Sequence, residues 1–137
     1  MARIDSEITI DRQAEEVWAV LGDLEAVTRW VPGVATARME GMRRICEMED
    51  GSEIHEEIAN FSDDERSYAY TQPVHPLGFR RSAGTLAVDP NGHGGSRVVW
   101  NAEVDFVDGI QEAQVLPMLR EGYAAALQQL KEVAESG

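Results

Sequence analysis

Strict alternation of apolar and polar residues marks several stretches of the chain as strands with one buried face. The segment 3–10, for example, places three isoleucines on one side and charged residues or threonine on the other. The middle of the chain shows only strand and turn patterns. The predicted strands there are 34–40, 42–48, 52–61, 66–72, 79–88 and 96–107.

Two short helices are predicted between the first and second strands, because apolar residues there recur at helical spacing. The first is expected to begin after Asp11 as its N-cap and to end at Gly22. Its apolar stripe is Ala14, Val17, Trp18 and Leu21. The second is expected to begin after Asp23 and to stop at the Pro32-Gly33 pair.

A long helix is predicted at the end of the chain, from Gly109 to about Glu135. Pro117 is expected in its first turn or at a kink near its start, because proline lacks the amide that an interior helical position uses. The predicted apolar stripe is Val115, Met118, Leu119, Gly122, Tyr123, Ala126, Leu130 and Val133.

The order of elements (strand, two short helices, six strands, long helix) indicates an α+β fold. An antiparallel sheet with one apolar face needs a cover. The last helix, roughly 35 to 40 Å long at 1.5 Å per residue, is the only predicted element that can lie across such a sheet. We therefore predict a single domain over residues 1–137, in which a curved seven-stranded antiparallel sheet wraps around the C-terminal helix.

A carboxylate lies between two isoleucines on one face of a predicted strand. The turn Glu49-Asp50-Gly51 fits a three-residue hairpin loop, and the resulting register pairs Arg44 with Glu56. The inner face of this hairpin is then Cys46, Met48, Ile54, Glu56 and Ile58. Glu56 is either a polar group in an apolar cavity, where it orients a ligand or acts as a general base, or the partner of Arg44 in a structural ion pair.

Aromatic and polar side chains on two further strands extend this candidate ligand-binding site. Tyr68, Tyr70 and Gln72 share one strand face, which suits a polyoxygenated or aromatic ligand if that face points inward. The alternative is core packing, with the hydroxyl groups reaching the surface. Trp100 and Ala102 on the last strand are candidates with the same alternative.

Small residues on the long helix predict a cavity roof. Met118, Gly122 and Ala126 are four residues apart on one line, and such a row fills less space than large apolar side chains would. The alternative is close packing of the helix against the sheet. Leu77, in the proline-rich loop between two strands, is the candidate for the entrance, and Trp30 is structural or borders the opening.

Composition excludes several classes of function. The formal net charge of −13, from 25 acidic and 12 basic residues, repels phosphate backbones and anionic membranes, so neither nucleic-acid binding nor binding to a lipid surface is expected. No apolar run approaches the roughly 18 to 20 residues of a membrane span, so membrane insertion is not expected either. The start of the chain lacks the apolar core of a signal peptide, which predicts a cytoplasmic location. The histidines lack metal-ligand spacing, so no metal site or cofactor is expected. Cys46 is interpreted as a buried apolar residue, with a nucleophile as the alternative.

Several short motifs occur in a distinctive order along nearly the whole chain. They are Val17-Trp18, Trp30 with Pro32-Gly33, Asp50-Gly51 followed by Glu-Glu and Ile58, RSYAY at 66–70, GTLAV at 84–88 and SRVVW at 96–100. In this order the sequence resembles the polyketide cyclase and START-like (SRPBCC) superfamily, which includes the birch-pollen allergens and the plant abscisic-acid receptors. The resemblance implies a helix-grip fold with a deep cavity between sheet and helix.

The same resemblance implies a range of activities. Members bind sterols, lipids, quinones, hormones or polyketide chains, and some are cyclases, dehydratases or co-chaperones. Glu56 matches a pocket-lining glutamate of the hormone-receptor branch, but Glu57 stands where members commonly have arginine. The tight turn Glu49-Asp50-Gly51 also replaces the gate loop of that branch, so a hormone-receptor role is not expected.

Three functions follow as hypotheses. The first is an intracellular binding protein for a small hydrophobic or amphipathic molecule such as a lipid, quinone or polyketide-like compound. The second is a polyketide cyclase or dehydratase in which Glu56 or Tyr70 transfers protons. It requires Glu56 to be unpaired and close to another polar group of the inner face. The third is a protein-interaction module, which requires a filled interior and a large exposed apolar patch. The oligomeric state is left open.

Overall fold

The computed structural model describes residues 1–136. Within them, seven strands form one antiparallel sheet in the order β1-β7-β6-β5-β4-β3-β2. The strands are β1 (Ala2–Ile10), β2 (Val34–Glu40), β3 (Arg43–Met48), β4 (Glu53–Ser62), β5 (Ser67–Val74), β6 (Arg81–Pro90) and β7 (Ser96–Asp105). The helices are α1 (Ala14–Leu21), α2 (Val27–Trp30), which follows the 3-10 turn Leu24–Ala26, and α3 (Glu112–Glu135). The predicted helix-grip fold is confirmed.

The β3–β4 hairpin has the predicted register. Arg44 lies opposite Glu56, and Cys46 lies opposite Ile54. The Met48 amide donates to the Ser52 carbonyl at 2.8 Å, which closes the turn. The hairpin therefore turns a carboxylate and a guanidinium toward the same interior face of the sheet.

The start of α1 differs from the prediction. The helix begins at Ala14 with Gln13 as its N-cap, so Asp11 lies outside it. The Asp11 amide instead donates to a carboxylate oxygen of Glu135 at 2.8 Å. This contact joins the bend after β1 to the end of α3, and the Gln13 carbonyl accepts the first helical hydrogen bond, from the Val17 amide at 3.1 Å.

Helix α3 contacts the core mainly through its C-terminal half. Its buried residues are Ala126, Leu127, Leu130 and Ala134. In contrast, Met118 is 69% exposed, and Gly122 is also exposed. The predicted apolar stripe is thus wrong at these two exposed positions, because helical spacing does not reveal which turns of a helix reach the sheet. Its other members are buried (Ala126 and Leu130) or half-buried (Val115, Leu119, Tyr123 and Val133).

Pro117 is the sixth residue of α3, so it lies beyond the first turn, where one alternative placed it. Its ring leaves the carbonyl of residue 113 without the usual helical donor. The N-terminal half of α3 is therefore the less tightly held half. Of the helices within residues 1–136, none combines the length and apolarity needed to cross a membrane.

Candidate functional site

A cavity of about 260 Å³ lies between the inner face of the sheet, α2 and the N-terminal half of α3. Residues of the less buried half of α3 form the wall opposite the sheet. Ten of the fourteen residues predicted as ligand-binding line the cavity: Cys46, Ile54, Glu56, Tyr68, Tyr70, Gln72, Trp100, Met118, Gly122 and Ala126.

Four predicted residues do not line the cavity. Ile58 and Ala102 are buried in the core instead, where Ala102 lies opposite Ile4 and Gly84 in the sheet. Met48 lies at the end of β3, beside Gly33. Leu77 belongs to the predicted entrance loop, but its amide donates to the His75 imidazole at 3.1 Å.

Sequence reasoning missed ten lining residues, seven of which come from irregular or helical segments. His75 and Phe79 come from the loop that contains Leu77, the residue predicted at the entrance. Tyr123 enters from α3, next to the predicted Gly122. The missed residues are Val27, Val31, Pro32, Val34, Arg44, His75, Phe79, Leu86, Leu119 and Tyr123, with Trp30 expected only as a possible border.

Aromatic side chains dominate the lining. The chain has nine Phe, Trp and Tyr residues. Within residues 1–136, six of them line the cavity: Trp30, Tyr68, Tyr70, Phe79, Trp100 and Tyr123. Trp100 and Tyr123 stack with ring centroids 3.9 Å apart and planes within 8°. The edge of Trp30 meets Trp100 at 6.1 Å. The cavity thus has flat apolar walls that suit a planar guest.

One hydrogen bond orders this aromatic group. The Trp100 indole N–H donates to the Tyr70 hydroxyl oxygen at 2.9 Å. Gly84 makes room for that hydroxyl, because a Cβ at position 84 would lie 2.5 Å from the Tyr70 oxygen. Burial raises the pKa of Tyr70 well above its ordinary value. Tyr70 therefore stays protonated at neutral pH and is not poised as a base.

The polar part of the lining is a chain of paired groups. Arg44 Nε donates to Glu56 Oε1 at 2.8 Å, and Gln72 Nε2 donates to Glu56 Oε2 at 3.0 Å. Ser82 Oγ in turn donates to the Gln72 carbonyl oxygen at 2.6 Å. Arg44 also donates to the Leu24 carbonyl at 3.1 Å. Each oxygen of the Glu56 carboxylate thus has a protein donor.

This geometry resolves the two interpretations of Glu56. The side chain lines the cavity, and it is also the partner of Arg44 in an ion pair. Both side chains are buried, with exposures of 9% for Glu56 and 4% for Arg44. Burial alone would lower the pKa of Arg44, but Tyr68 and Glu56 outweigh it and raise that pKa. The condition set for catalysis by Glu56, an unpaired carboxylate, is not met.

Two other polar atoms of the lining residues are buried without a partner among the described residues. They are the Trp30 indole nitrogen and the Tyr68 hydroxyl oxygen. The Arg44 guanidinium lies over the Tyr68 ring at 5.7 Å. Burial raises the pKa of Tyr68, although the Arg44 charge opposes the shift. Burial likewise raises the pKa of the Cys46 thiol to about 11, so the thiol is not a nucleophile at neutral pH.

The loop between β5 and β6 contributes His75 and Phe79 to the cavity wall, next to residues of α3. The His75 ring contacts Phe79 with centroids 4.5 Å apart, and Phe79 meets Phe106 edge-on at 5.5 Å. Burial lowers the pKa of His75, against an opposing effect of the Glu56 charge. Met118 on α3 borders the same region and faces solvent.

Comparison with known proteins gives a consistent picture of the fold. The model of the family described as polyketide cyclase / dehydrase and lipid transport matches residues 1–135. Among curated proteins, none matches the sequence.

Solved structures share the fold at low sequence identity. The XoxI protein of Bacillus cereus is 23% identical, with a TM-score of 0.89 over 97% of this chain and 95% of that chain. A START superfamily protein of Mycobacterium smegmatis is 12% identical, with a TM-score of 0.84 over 98% and 97%. The Zhui aromatase/cyclase of Streptomyces sp. R1128 is 13% identical, with a TM-score of 0.80 over 98% and 93%.

Proposed function

The chain belongs to the polyketide cyclase / dehydrase and lipid transport family, and we propose that it binds a small hydrophobic or amphipathic molecule in the cavity. The observation that carries this proposal is the cavity itself, a space of about 260 Å³ bordered by six aromatic residues. Cavities with mostly apolar walls and a few fixed polar groups are the usual form of small-molecule sites.

The shape of the lining favours a compact planar guest. The stacked pair Trp100 and Tyr123 offers a flat surface, and Trp30 meets it edge-on. Quinones and polyketide-like compounds have the flat rings that such walls accept, whereas a long flexible lipid chain would lose more conformational entropy on being confined. We therefore favour quinone-like or polyketide-like ligands over lipids.

Binding accounts for the polar groups better than catalysis does. A general acid or base needs a proton position that is free to face the substrate. Both oxygens of Glu56 accept hydrogen bonds from the protein, and the Tyr70 hydroxyl accepts one from Trp100. The Glu56 carboxylate is therefore engaged by the protein before any ligand enters, whereas the Tyr70 hydroxyl accepts from Trp100 and keeps its own O–H as a donor that can orient a ligand oxygen.

A cyclase or dehydratase remains the second candidate, because the family description includes both activities and the fold is shared with an aromatase/cyclase. In a reaction of that kind the cavity would fold a reactive chain while Glu56 or Tyr70 moves a proton. The protein-interaction alternative required a filled interior, and an open cavity of about 260 Å³ does not fit it.

Ligand-dependent thermal stability tests the proposal. Menadione, a small naphthoquinone, should raise the melting temperature with a concentration dependence that follows mass action. Gly122→Leu should remove this response, because Gly122 lines the cavity and a Cβ there meets no atom within 4 Å, so a leucine side chain can occupy space that a ligand would need. Absence of any shift in the wild-type protein, across menadione and related naphthyl compounds, would contradict the proposal.

Ala124→Leu is the matched control. Position 124 is exposed on α3 and does not line the cavity, so this variant should keep the full ligand response. If both leucine variants lose the response equally, the effect belongs to α3 in general and the cavity is not the binding site. Turnover of a polyketide mimic by the wild-type protein, lost in Glu56→Gln with binding retained, would favour the cyclase alternative.

A further inference from the structure

The charges around the cavity are balanced within the protein. Among the lining side chains in the described part of the chain, Arg44 and Glu56 are the only Arg, Lys, Asp or Glu residues. They lie on adjacent strands, opposite each other in the register. Arg44 Nε and Glu56 Oε1 are 2.8 Å apart, so the positive charge of the guanidinium and the negative charge of the carboxylate are paired within the cavity wall.

The protein already uses two of the five N–H donors of Arg44. Its Nε donates to Glu56 and one terminal nitrogen donates to the Leu24 carbonyl. An anionic ligand would have to give up its hydration on entering and would find the cation already neutralised, a combination that is strongly unfavourable in a buried site. Glu56 would in addition repel it.

We propose that Glu56 sets the charge specificity of the cavity: by neutralising Arg44 it selects uncharged ligands and excludes carboxylates and other anions. This inference rests on the proposed function, since it concerns what the same cavity accepts. The ligand class it defines is a compact, uncharged, flat molecule whose oxygens are carbonyl or hydroxyl groups. Free fatty acids and acidic polyketide intermediates are excluded.

The formal net charge of the chain acts in the same direction. With 25 acidic and 12 basic residues, the exterior lowers the local concentration of anions near the mouth. Salt screens this long-range effect, whereas the contact between Arg44 and Glu56 is buried and is screened much less. A preference that persists at high ionic strength therefore belongs to the ion pair in the wall.

A pair of nearly isosteric ligands tests the inference. The flat ketone 2-acetylnaphthalene is uncharged, and 2-naphthoate has the same shape with a carboxylate in place of the acetyl group. By titration calorimetry at 0.5 M salt and pH 7.5, wild-type protein should bind the ketone about tenfold or more tightly than the carboxylate. Glu56→Gln should lower the ratio of ketone affinity to carboxylate affinity by about tenfold, because Arg44 is then free to pair with the carboxylate of the ligand.

A neighbouring substitution provides the control. Glu57→Gln makes the same chemical change one residue later, where the side chain is exposed and pairs with Arg43 on the outer face. This variant should keep the wild-type ratio. If Glu56→Gln does not fold because Arg44 is left unpaired, the double variant Arg44→Gln/Glu56→Gln restores a neutral wall and should keep the preference for the ketone.

The possible results separate the inference from the proposed function. If wild-type protein binds the ketone and the carboxylate equally well, or if Glu56→Gln leaves the ratio unchanged, charge selection by Glu56 is wrong although ligand binding stands. Equal binding of both ligands by the double variant would also overturn it. If the ketone and the carboxylate both fail to bind, the proposed function fails for flat aromatic ligands, and the inference fails with it.

Discussion

Two tyrosines on the same strand face are expected to respond unequally to the loss of their hydroxyl groups. Tyr68 and Tyr70 are both almost fully buried. The Tyr70 oxygen accepts the Trp100 indole N–H at 2.9 Å, whereas the Tyr68 hydroxyl has no partner among the described residues. Phenylalanine preserves each ring and removes only the oxygen.

The magnitudes follow from what each substitution leaves behind. Tyr70→Phe leaves the buried indole N–H of Trp100 without an acceptor, which should lower the free energy of unfolding by about 1 to 3 kcal/mol. Tyr68→Phe removes a buried hydroxyl without a well-formed hydrogen bond that interacts only with the nearby Arg44 charge, so the free energy of unfolding should change by no more than about 0.5 to 1 kcal/mol in either direction. The ring beneath the Arg44 guanidinium is retained in this second variant.

Urea denaturation provides the measurement. With an m-value of about 1 to 3 kcal/mol per molar, a difference of about 2 kcal/mol between the variants corresponds to a midpoint difference of about 1 M. Equal losses in the two variants would refute the reasoning, because they would show that the Tyr68 hydroxyl also has a stabilising partner. An unchanged midpoint for Tyr70→Phe would show that the bond to Trp100 contributes nothing.

Three further outcomes are expected. Cys46, whose thiol has a pKa raised to about 11 by burial, should react slowly with DTNB at pH 8 in the native protein and fully in urea; fast native labelling would place it at the surface. Because burial lowers the pKa of His75 below its ordinary value of 6.5, the unfolded state binds a proton more readily than the folded state does. The free energy of unfolding should therefore be at its full value above pH 6.5 and should decrease as the pH falls below 6.5. Free energies of unfolding between pH 5 and 7.5 should show a shallower pH dependence in His75→Asn, with exposed His93→Asn as control, and identical slopes in wild type and His75→Asn would contradict this. Gly84→Ala, which would place a Cβ 2.5 Å from the Tyr70 oxygen, should cost about 1 to 3 kcal/mol by thermal or urea unfolding, and an unaffected midpoint would mean that the Tyr70 ring moves freely.

Features set by local geometry could be predicted from the sequence. The turn Glu49-Asp50-Gly51 fixes the register of the hairpin, and that register brings Arg44 and Glu56 together. Alternation then assigns every other residue of a strand to the inner face, which placed Tyr68, Tyr70 and Trp100 at the cavity. These predictions needed only the twofold period of a strand and the length of one turn.

Features set by the separation of elements could not be predicted in the same way. Periodicity gave the face of α3 but could not show that Met118 stands clear of the sheet while Leu127 is buried. The loop that contains Leu77 has no period, so His75 and Phe79 were not distinguishable from it as lining residues. Ala102 lies on the same face of β7 as Trp100, yet it is buried in the core and does not line the cavity.

The placement of the indole rings has a practical consequence. Trp30 and Trp100 border the cavity, whereas the indole N–H of the third, Trp18, donates to Asp63 at 2.8 Å and lies outside the lining. Intrinsic ultraviolet emission from two of the three tryptophans therefore originates beside the space a guest would fill. A quinone bound there would quench the fluorescence of these two tryptophans by contact, so intrinsic fluorescence of the unlabelled protein can report how much of the cavity is occupied.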